Sequence, residues 1–218
     1  MASRREFLQV GLAATAMGSV TQVQGLPGGQ LPDQSLPLYK VVYDLRYHDS
    51  IAFAKRMASQ LQGSGESLLY GMRGDITPFW YQELDAVWRA QPVALAGMTA
   101  HGPLFCLERL AWELGMRVIW RSEHRHVEDR LMQHTLYGPE ALVSRASTGA
   151  GSLVRNASPW CEQVADLLLD CRTGNTPLGK HMLTVPASAP AQQDTQIDAG
   201  TDPLIAWVIA PARRMTGV

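Results

Sequence analysis

Two side chains that could perform acid–base chemistry lie close together in the loop at residues 97–103. Thr99 carries a hydroxyl and His101 an imidazole, a pair that can activate or deprotonate a bound substrate. Gly102 follows them, and a residue without a side chain lets a ligand approach the backbone. The sequence therefore predicts Thr99 and His101 as catalytic residues and Gly102 as a ligand-binding residue. A structural turn that carries a surface histidine is the alternative.

His124 and His126 form a second candidate site. Residues two apart on an extended segment face the same side, so both imidazoles could bind one divalent transition metal. The surrounding run at residues 121–130 mixes acidic and basic residues, a composition typical of an exposed polar face. A metal site and a solvated surface are therefore alternative predictions for this segment. Apart from this metal, no motif in the sequence indicates a cofactor.

Polar residues also follow the predicted first and second strands. His48 and Ser50 come after the first strand, and Asp75 comes after the second. Because ligands of open α/β sheets bind outside the carboxyl ends of the strands, we predict these three as ligand-binding residues. Four of the six histidines are expected to meet at this edge of the sheet: His48, His101, His124 and His126.

The elements that must position these residues follow from the apolar patterns. Apolar runs predict four strands, near residues 40–45, 67–70, 92–98 and 116–121. Amphipathic segments between them predict three helices, which begin near residues 50, 77 and 103. Strand and helix alternate with short connections, a pattern typical of a parallel sheet with helices on its faces. The predicted fold is therefore α/β, with a mostly parallel sheet flanked by helices in three layers (doubly wound).

The C-terminal third of the chain is predicted to be less regular. Its expected elements are a short helix at 127–134, a helix from residue 158, a strand at 183–185 and a buried closing strand at 204–209. Exposed loops are predicted near 138–157 and 187–203, where small and polar residues accumulate. Residues 39–218 are accordingly predicted to form one domain, preceded by a leader segment at residues 26–38.

The first 25 residues have the pattern of an export signal. Arg4 and Arg5 follow a serine, Phe7 and Leu8 complete the run S-R-R-x-F-L, and a modestly apolar stretch comes next. This segment resembles the signal peptides of the twin-arginine pathway. The resemblance implies that the twin-arginine translocase exports the folded chain to the periplasm and that residues 1–25 are then removed. An uncleaved signal would leave the protein tethered to the membrane.

Composition narrows the possible partners. The chain has 19 basic and 20 acidic residues and a net charge of −1, which disfavours binding to nucleic acid. No apolar run after the signal reaches membrane-spanning length, so no span is predicted in the mature chain. Three cysteines, Cys106, Cys161 and Cys171, permit one disulfide in an oxidising compartment or three reduced thiols.

Three functions are compatible with these features. The first is an accessory or small subunit of a larger, cofactor-bearing redox enzyme, because the chain has a folded-export signal but none of the usual haem, iron–sulfur or dinucleotide motifs. The second is a self-sufficient periplasmic hydrolase, with a metal at His124 and His126. The third is a periplasmic protein that binds a small molecule without turnover.

Overall fold

The computed structural model describes residues 36–61, 68–128, 131–148, 153–154, 158–172, 177–187 and 203–212. The twin-arginine-like segment lies outside these residues, and so do nearly all of the predicted leader and of the predicted loop at 187–203. Among the described residues, no helix combines the length and the apolar character that crossing a membrane requires.

A seven-stranded sheet forms the centre of the fold. Its strands are β1 (Leu38–Asp44), β2 (Leu69–Met72), β3 (Ala94–Thr99), β4 (Met116–Glu128), β5 (Leu131–Pro139), β6 (Leu178–Pro186) and β7 (Leu204–Pro211). Their order across the sheet is β2-β1-β3-β7-β4-β5-β6. The strand that is last in sequence therefore lies in the middle of the sheet.

Helices cover both faces of this sheet. They are α1 (His48–Gln60), α2 (Thr77–Phe79), a π-helical segment (Trp80–Leu84), α3 (Asp85–Ala90), α4 (His101–Glu113), α5 (Glu140–Thr148) and α6 (Trp160–Leu169). One buried cluster joins the sheet to α1, α5 and α6. A second cluster on the opposite face joins it to α2, α3, α4 and the π-helical segment. The expected α/β architecture with helices on the sheet faces is confirmed.

The expectation of a mostly parallel sheet is wrong. Of the six neighbouring strand pairs among the described residues, β1–β2 and β1–β3 are parallel. The other four neighbouring pairs, β3–β7, β4–β7, β4–β5 and β5–β6, are antiparallel. The doubly wound pattern is therefore limited to β2, β1 and β3. The apolar run of β7 correctly indicated burial, but burial does not specify strand direction, because a central strand is covered on both faces in either orientation.

Two further predictions for the C-terminal third are wrong. The expected helix at 127–134 is instead a hairpin, with β4 and β5 joined across residues 129–130. Along β5, buried residues alternate with partly buried ones, as in a strand with one covered face. The expected loop near 138–157 contains α5, whose buried side contacts the sheet. The expected strand at 183–185, the helix from 158 and the closing strand are confirmed as β6, α6 and β7.

Candidate functional site

The carboxyl ends of the first four strands lie at one edge of the sheet. β1 is parallel to β2 and β3, and β7 is antiparallel to both β3 and β4. β4 consequently runs in the same direction as β3. The residues after β1, β2 and β3 and the distal half of β4 therefore share this edge, as expected, although the sheet as a whole is mixed.

The most unusual feature near this edge is a pair of buried histidines. His124 of β4 and His134 of β5 are directly opposite each other in the hairpin. Their Nδ1 atoms are 2.6 Å apart, and their side chains are almost completely shielded from solvent. Only an imidazole proton on one of the two nitrogens can satisfy such a contact, because two unprotonated nitrogens would repel.

Two more residues extend this pair into a hydrogen-bonded chain along β4. The Nε2 atom of His124 is 2.9 Å from the Ser122 hydroxyl, and the Trp120 indole donates to the same hydroxyl at 3.2 Å. Residues 120, 122 and 124 are two apart, so their side chains share one face of the strand. The alternation of β4 thus places the three groups in a row.

Trp120 and the burial of Ser122 together set the direction of this hydrogen-bonded chain. An indole N–H can only donate, so the Ser122 oxygen accepts from Trp120. Ser122 is fully buried, and among the described residues Nε2 of His124 is the acceptor within reach of its hydroxyl hydrogen, which therefore points to that atom. The proton of His124 then lies on Nδ1 and is donated to Nδ1 of His134. His134 is left with its proton on Nε2, an atom that is buried and has no hydrogen-bond partner among the described residues.

Burial keeps both rings of this pair neutral. It is the main cause that lowers the pKa of His124 well below its usual value, and the neighbouring His134 lowers it further. Burial also lowers the pKa of His134 to about 4, with a smaller contribution from His126. At neutral pH the Nε2 group of His134 is therefore an uncharged N–H donor.

The start of α6 and the first turn of α1 surround this pair. The Trp160 ring lies over His124, with ring centres 4.4 Å apart, and 5.8 Å from His134. Burial raises the pKa of the Asp49 carboxyl, while His48, His126 and the side chains of Cys161 and Trp160 partly offset that rise. Asp49 therefore links α1, α6 and β4.

Sequence reasoning missed Asp49 and His134 as members of this site. Asp49 follows β1 and is acidic in the first turn of α1, so its position after a strand was a usable signal. The sequence predicts His134 in a helix at 127–134 that does not form, and the pairing of His134 with His124 depends on the hairpin. His48 and His126 are exposed, and both interact with Asp49.

Two predicted site hydroxyls are buried and fully engaged within the fold. Ser50 donates to the Met98 carbonyl at 2.5 Å and accepts from the Asp44 amide at 2.8 Å. Thr99 donates to the Ala100 carbonyl at 2.9 Å and accepts from the Trp207 indole at 3.1 Å. Both hydroxyls therefore connect structural elements and have no hydrogen free for a ligand.

The remaining predicted residues do not join the histidine pair. His101 is exposed at the start of α4 and stacks on Phe105, with ring centres 6.0 Å apart. Gly102 is exposed beside it, with open space around its α-carbon. Asp75 is exposed and accepts from the Thr77 amide at 2.8 Å, which lowers the pKa of its carboxyl. Asp75 thus stabilises the turn before α2.

The sequence predicted a metal ion shared by His124 and His126, but the hydrogen bonds of His124 prevent this sharing. His124 and His126 do face the same side of β4, but both nitrogens of His124 are within hydrogen-bonding distance of His134 and Ser122. His124 consequently has no nitrogen available for a metal shared with His126. Within the described ranges, no group of three or more histidine, cysteine, aspartate or glutamate side chains is arranged to hold a metal ion.

The two buried cysteines, Cys161 and Cys171, are not activated. Burial, assisted by Asp49, raises the pKa of the Cys161 thiol to about 12. Burial also raises the pKa of Cys171 to about 11. All three cysteines are free, and Cys106 is exposed on α4. Because the thiolate is the reactive form, Cys161 and Cys171 are packed side chains rather than nucleophiles.

A shallow depression of about 390 Å³ adjoins the site between α1 and α6. His48 lies at one end of it, Lys55 and Ser59 line α1 farther along, and Glu162 contributes from α6. The exposed side of His48 thus faces a groove with room for a small molecule. Arg56, which also lines the groove, is paired with Asp166 at 2.8 Å.

Comparisons with known proteins assign no family to this chain. No protein-family model matches it, and neither a curated protein nor a solved structure matches it.

Proposed function

We propose that this protein is an exported accessory subunit of a larger redox enzyme and that it binds a small ligand beside His134, at the edge formed with Asp49 and His126. The observation that carries the ligand site is the buried, unpartnered Nε2 group of His134. Leaving a buried donor unsatisfied costs about 1–3 kcal/mol. An acceptor atom of a bound molecule would remove that cost.

The surroundings favour an uncharged carbonyl compound as the ligand. The donor is a neutral N–H, and the Trp160 ring beside it offers an apolar contact. Asp49 already lies where burial disfavours negative charge, so an anionic ligand next to it would raise its pKa further. A ketone, amide or protonated acid fits these groups better than a phosphate.

The geometry gives less support to a self-sufficient hydrolase. Covalent catalysis needs a nucleophile activated by an adjacent base. At this edge, among the described residues, the hydroxyls of Ser50 and Thr99 are engaged and the thiol of Cys161 is protonated. A binding role makes no such demand. A free-standing periplasmic binding protein would use the same ligand site. It differs from an accessory subunit in having no partner subunit.

The ligand site is tested by nuclear magnetic resonance of histidine-labelled protein. We expect one-bond and long-range ¹H–¹⁵N correlations to show His124 protonated at Nδ1 and His134 at Nε2. Acetamide should shift the Nε2 signal of His134, whereas the isosteric acetate should not. In His134→Asn the amide oxygen can replace the Nδ1 acceptor, but the Nε2 donor is lost. Acetamide should therefore have no specific effect on the remaining histidine signals of this variant.

Two outcomes would contradict the ligand site. Equal shifts with acetamide and acetate would rule out selection of an uncharged carbonyl. An Nε2 signal that no probe changes and that exchanges with bulk water would indicate a buried water in this place. The accessory role is tested separately by purification of the tagged chain from its native host. A larger, coloured subunit should copurify, and a colourless monomer would contradict the role.

A further inference from the structure

The outer side of α4 carries aromatic rings in contact with guanidinium groups. Phe105 and Trp112 are 47% and 50% exposed. The guanidinium of Arg109 lies between them, 5.4 Å from the centre of the Phe105 ring and 5.2 Å from that of Trp112. Arg117, at the start of β4, lies 5.2 Å from the same Trp112 ring. These four residues are called the stacked α4 surface below.

This surface is not needed to attach α4 to the sheet. The opposite side of the helix supplies Leu104, Leu107 and Ala111 to the buried cluster. The outward side of such a helix is usually polar. Tryptophan, phenylalanine and arginine are instead the residue types that protein interfaces concentrate. Two half-exposed rings on one helix therefore indicate a contact surface.

The arginines indicate the chemistry of the partner. Among the described residues, no carboxylate forms an ion pair with Arg109 or Arg117, although Glu113 follows Arg109 by four positions on the same helix. In α3, by contrast, Arg89 pairs with Asp85 at the same spacing, at 2.7 Å. Arg117 uses Nη1 to donate to the Met116 carbonyl at 2.7 Å. The guanidinium of Arg109, which stacks on the two rings, has an N–H edge that matches a carboxylate with two parallel hydrogen bonds.

We propose that the stacked α4 surface is the docking site for the larger subunit and that this partner presents carboxylate side chains flanked by apolar groups. The proposal rests on the accessory role proposed above and names the surface that serves it. α4 and the histidine pair lie on opposite faces of the sheet, since Leu104 belongs to one buried cluster and Trp160 to the other. Docking through α4 therefore leaves the ligand edge open.

The test compares copurification of the larger subunit with tagged wild-type and variant chains from the native host. Trp112→Ala and Arg109→Glu should each reduce the recovered partner by about 10-fold or more, as expected for central contacts of an interface. Arg109→Lys should have an intermediate effect, because lysine keeps the charge but cannot stack and pair as arginine does. Tyr81→Ala is the matched control, since Tyr81 is 76% exposed on the same face of the sheet.

Each outcome separates the docking proposal from the accessory role. Loss of the partner in the α4 variants but not in Tyr81→Ala supports the docking site, provided that the variants keep the wild-type circular dichroism spectrum. Full recovery with both Trp112→Ala and Arg109→Glu overturns the docking site and leaves the accessory role standing. No partner with the wild-type chain overturns both. A purified homodimer that Trp112→Ala dissociates in sedimentation would show that a second copy, not an acidic partner, occupies the surface.

Discussion

His124 and His134 approach each other through their Nδ1 atoms, at 2.6 Å, in the interior between the β4–β5 hairpin and α6. The contact contains a single proton, because a second one would place two N–H groups face to face. The pair therefore tolerates no additional positive charge. The contribution of this pair to the stability of the protein and the direction of its hydrogen bonds can both be measured.

Acid should destabilise the protein through His134. Its folded pKa of about 4 is below the value of about 6.5 expected when unfolded. Between pH 6.5 and pH 4 the unfolded chain binds a proton on residue 134 that the folded protein does not bind. The contribution of neutral His134 to the free energy of unfolding is therefore complete above pH 6.5 and is lost as the pH falls towards 4. The shift corresponds to roughly 3 kcal/mol. Urea unfolding at a series of pH values measures it.

His134→Asn is the control for this pH dependence. The variant keeps an acceptor for His124 but has no imidazole to titrate, so its stability should change less between pH 6.5 and 4. Two other groups titrate in both proteins: the lowered pKa of His124 destabilises the folded state in acid as well, and the raised pKa of Asp49 favours the folded state at low pH. Identical pH profiles for the two proteins would show that His134 is not the titrating group.

Removing the hydroxyl of Ser122 should leave two buried groups unsatisfied. In Ser122→Ala, the Trp120 indole loses its acceptor and Nε2 of His124 loses its donor. We expect a loss of about 1–3 kcal/mol in the free energy of unfolding. Ser59→Ala removes an exposed hydroxyl that donates to the Arg56 carbonyl and should have little effect. Similar losses in both variants would mean that the hydrogen-bonded chain along β4 contributes no more to stability than an exposed hydroxyl does.

Two glycines in the predicted catalytic loop should respond differently to alanine. A methyl group on Gly97 would lie 2.5 Å from Cζ2 of Trp207 and 2.6 Å from the Val42 carbonyl. Gly97→Ala should therefore cost about 1–3 kcal/mol through overpacking. Gly102 has open space around it in the first turn of α4, and Gly102→Ala should be neutral or more stable by up to about 1 kcal/mol. Thermal unfolding of the two alanine variants measures both effects. A Gly102→Ala variant that is less stable than Gly97→Ala would contradict this packing.

Export should depend on the two arginines near the N-terminus. If the first residues act as a twin-arginine signal, replacing both Arg4 and Arg5 by lysine should keep a tagged chain in the cytoplasmic fraction, although the positive charge is retained. Arg89→Lys, which changes an exposed arginine on α3, should be exported normally. Periplasmic recovery of the double-lysine variant at the wild-type level would exclude the twin-arginine route.

Local patterns predicted the elements of this fold better than their arrangement. Apolar spacing located β3, α4 and the closing strand, because burial determines which residue types each position accepts. It could not reveal that β7 enters between β3 and β4, since the direction of a fully buried strand leaves no periodic mark. Residues 129–130, which separate β4 from β5 in the sequence, include no glycine. The sequence therefore lacks a hairpin signal there and predicts a helix where His124 pairs with His134.

For the candidate site, too, the sequence predicted local features but not the contacts between distant parts of the chain. The sequence correctly placed His124 and His126 on one side of an extended segment, and it located the edge at which the first four strands end. The contacts of Asp49 with Trp160 and Cys161 connect residues more than a hundred positions apart. Such contacts follow from the packing of α1 against α6, which no local motif encodes.

The position of β7 has a consequence for the order in which the chain can fold. In the described part of the chain, β3 and β4 are joined through one strand, β7, at residues 204–211. While the ribosome is still adding the residues before them, the parallel β2-β1-β3 unit and the β4-β5-β6 meander each expose an unpaired inner edge. The two halves can join into one sheet only after residues 204–211 have been synthesised, so a nascent chain that lacks these residues cannot form the continuous buried core.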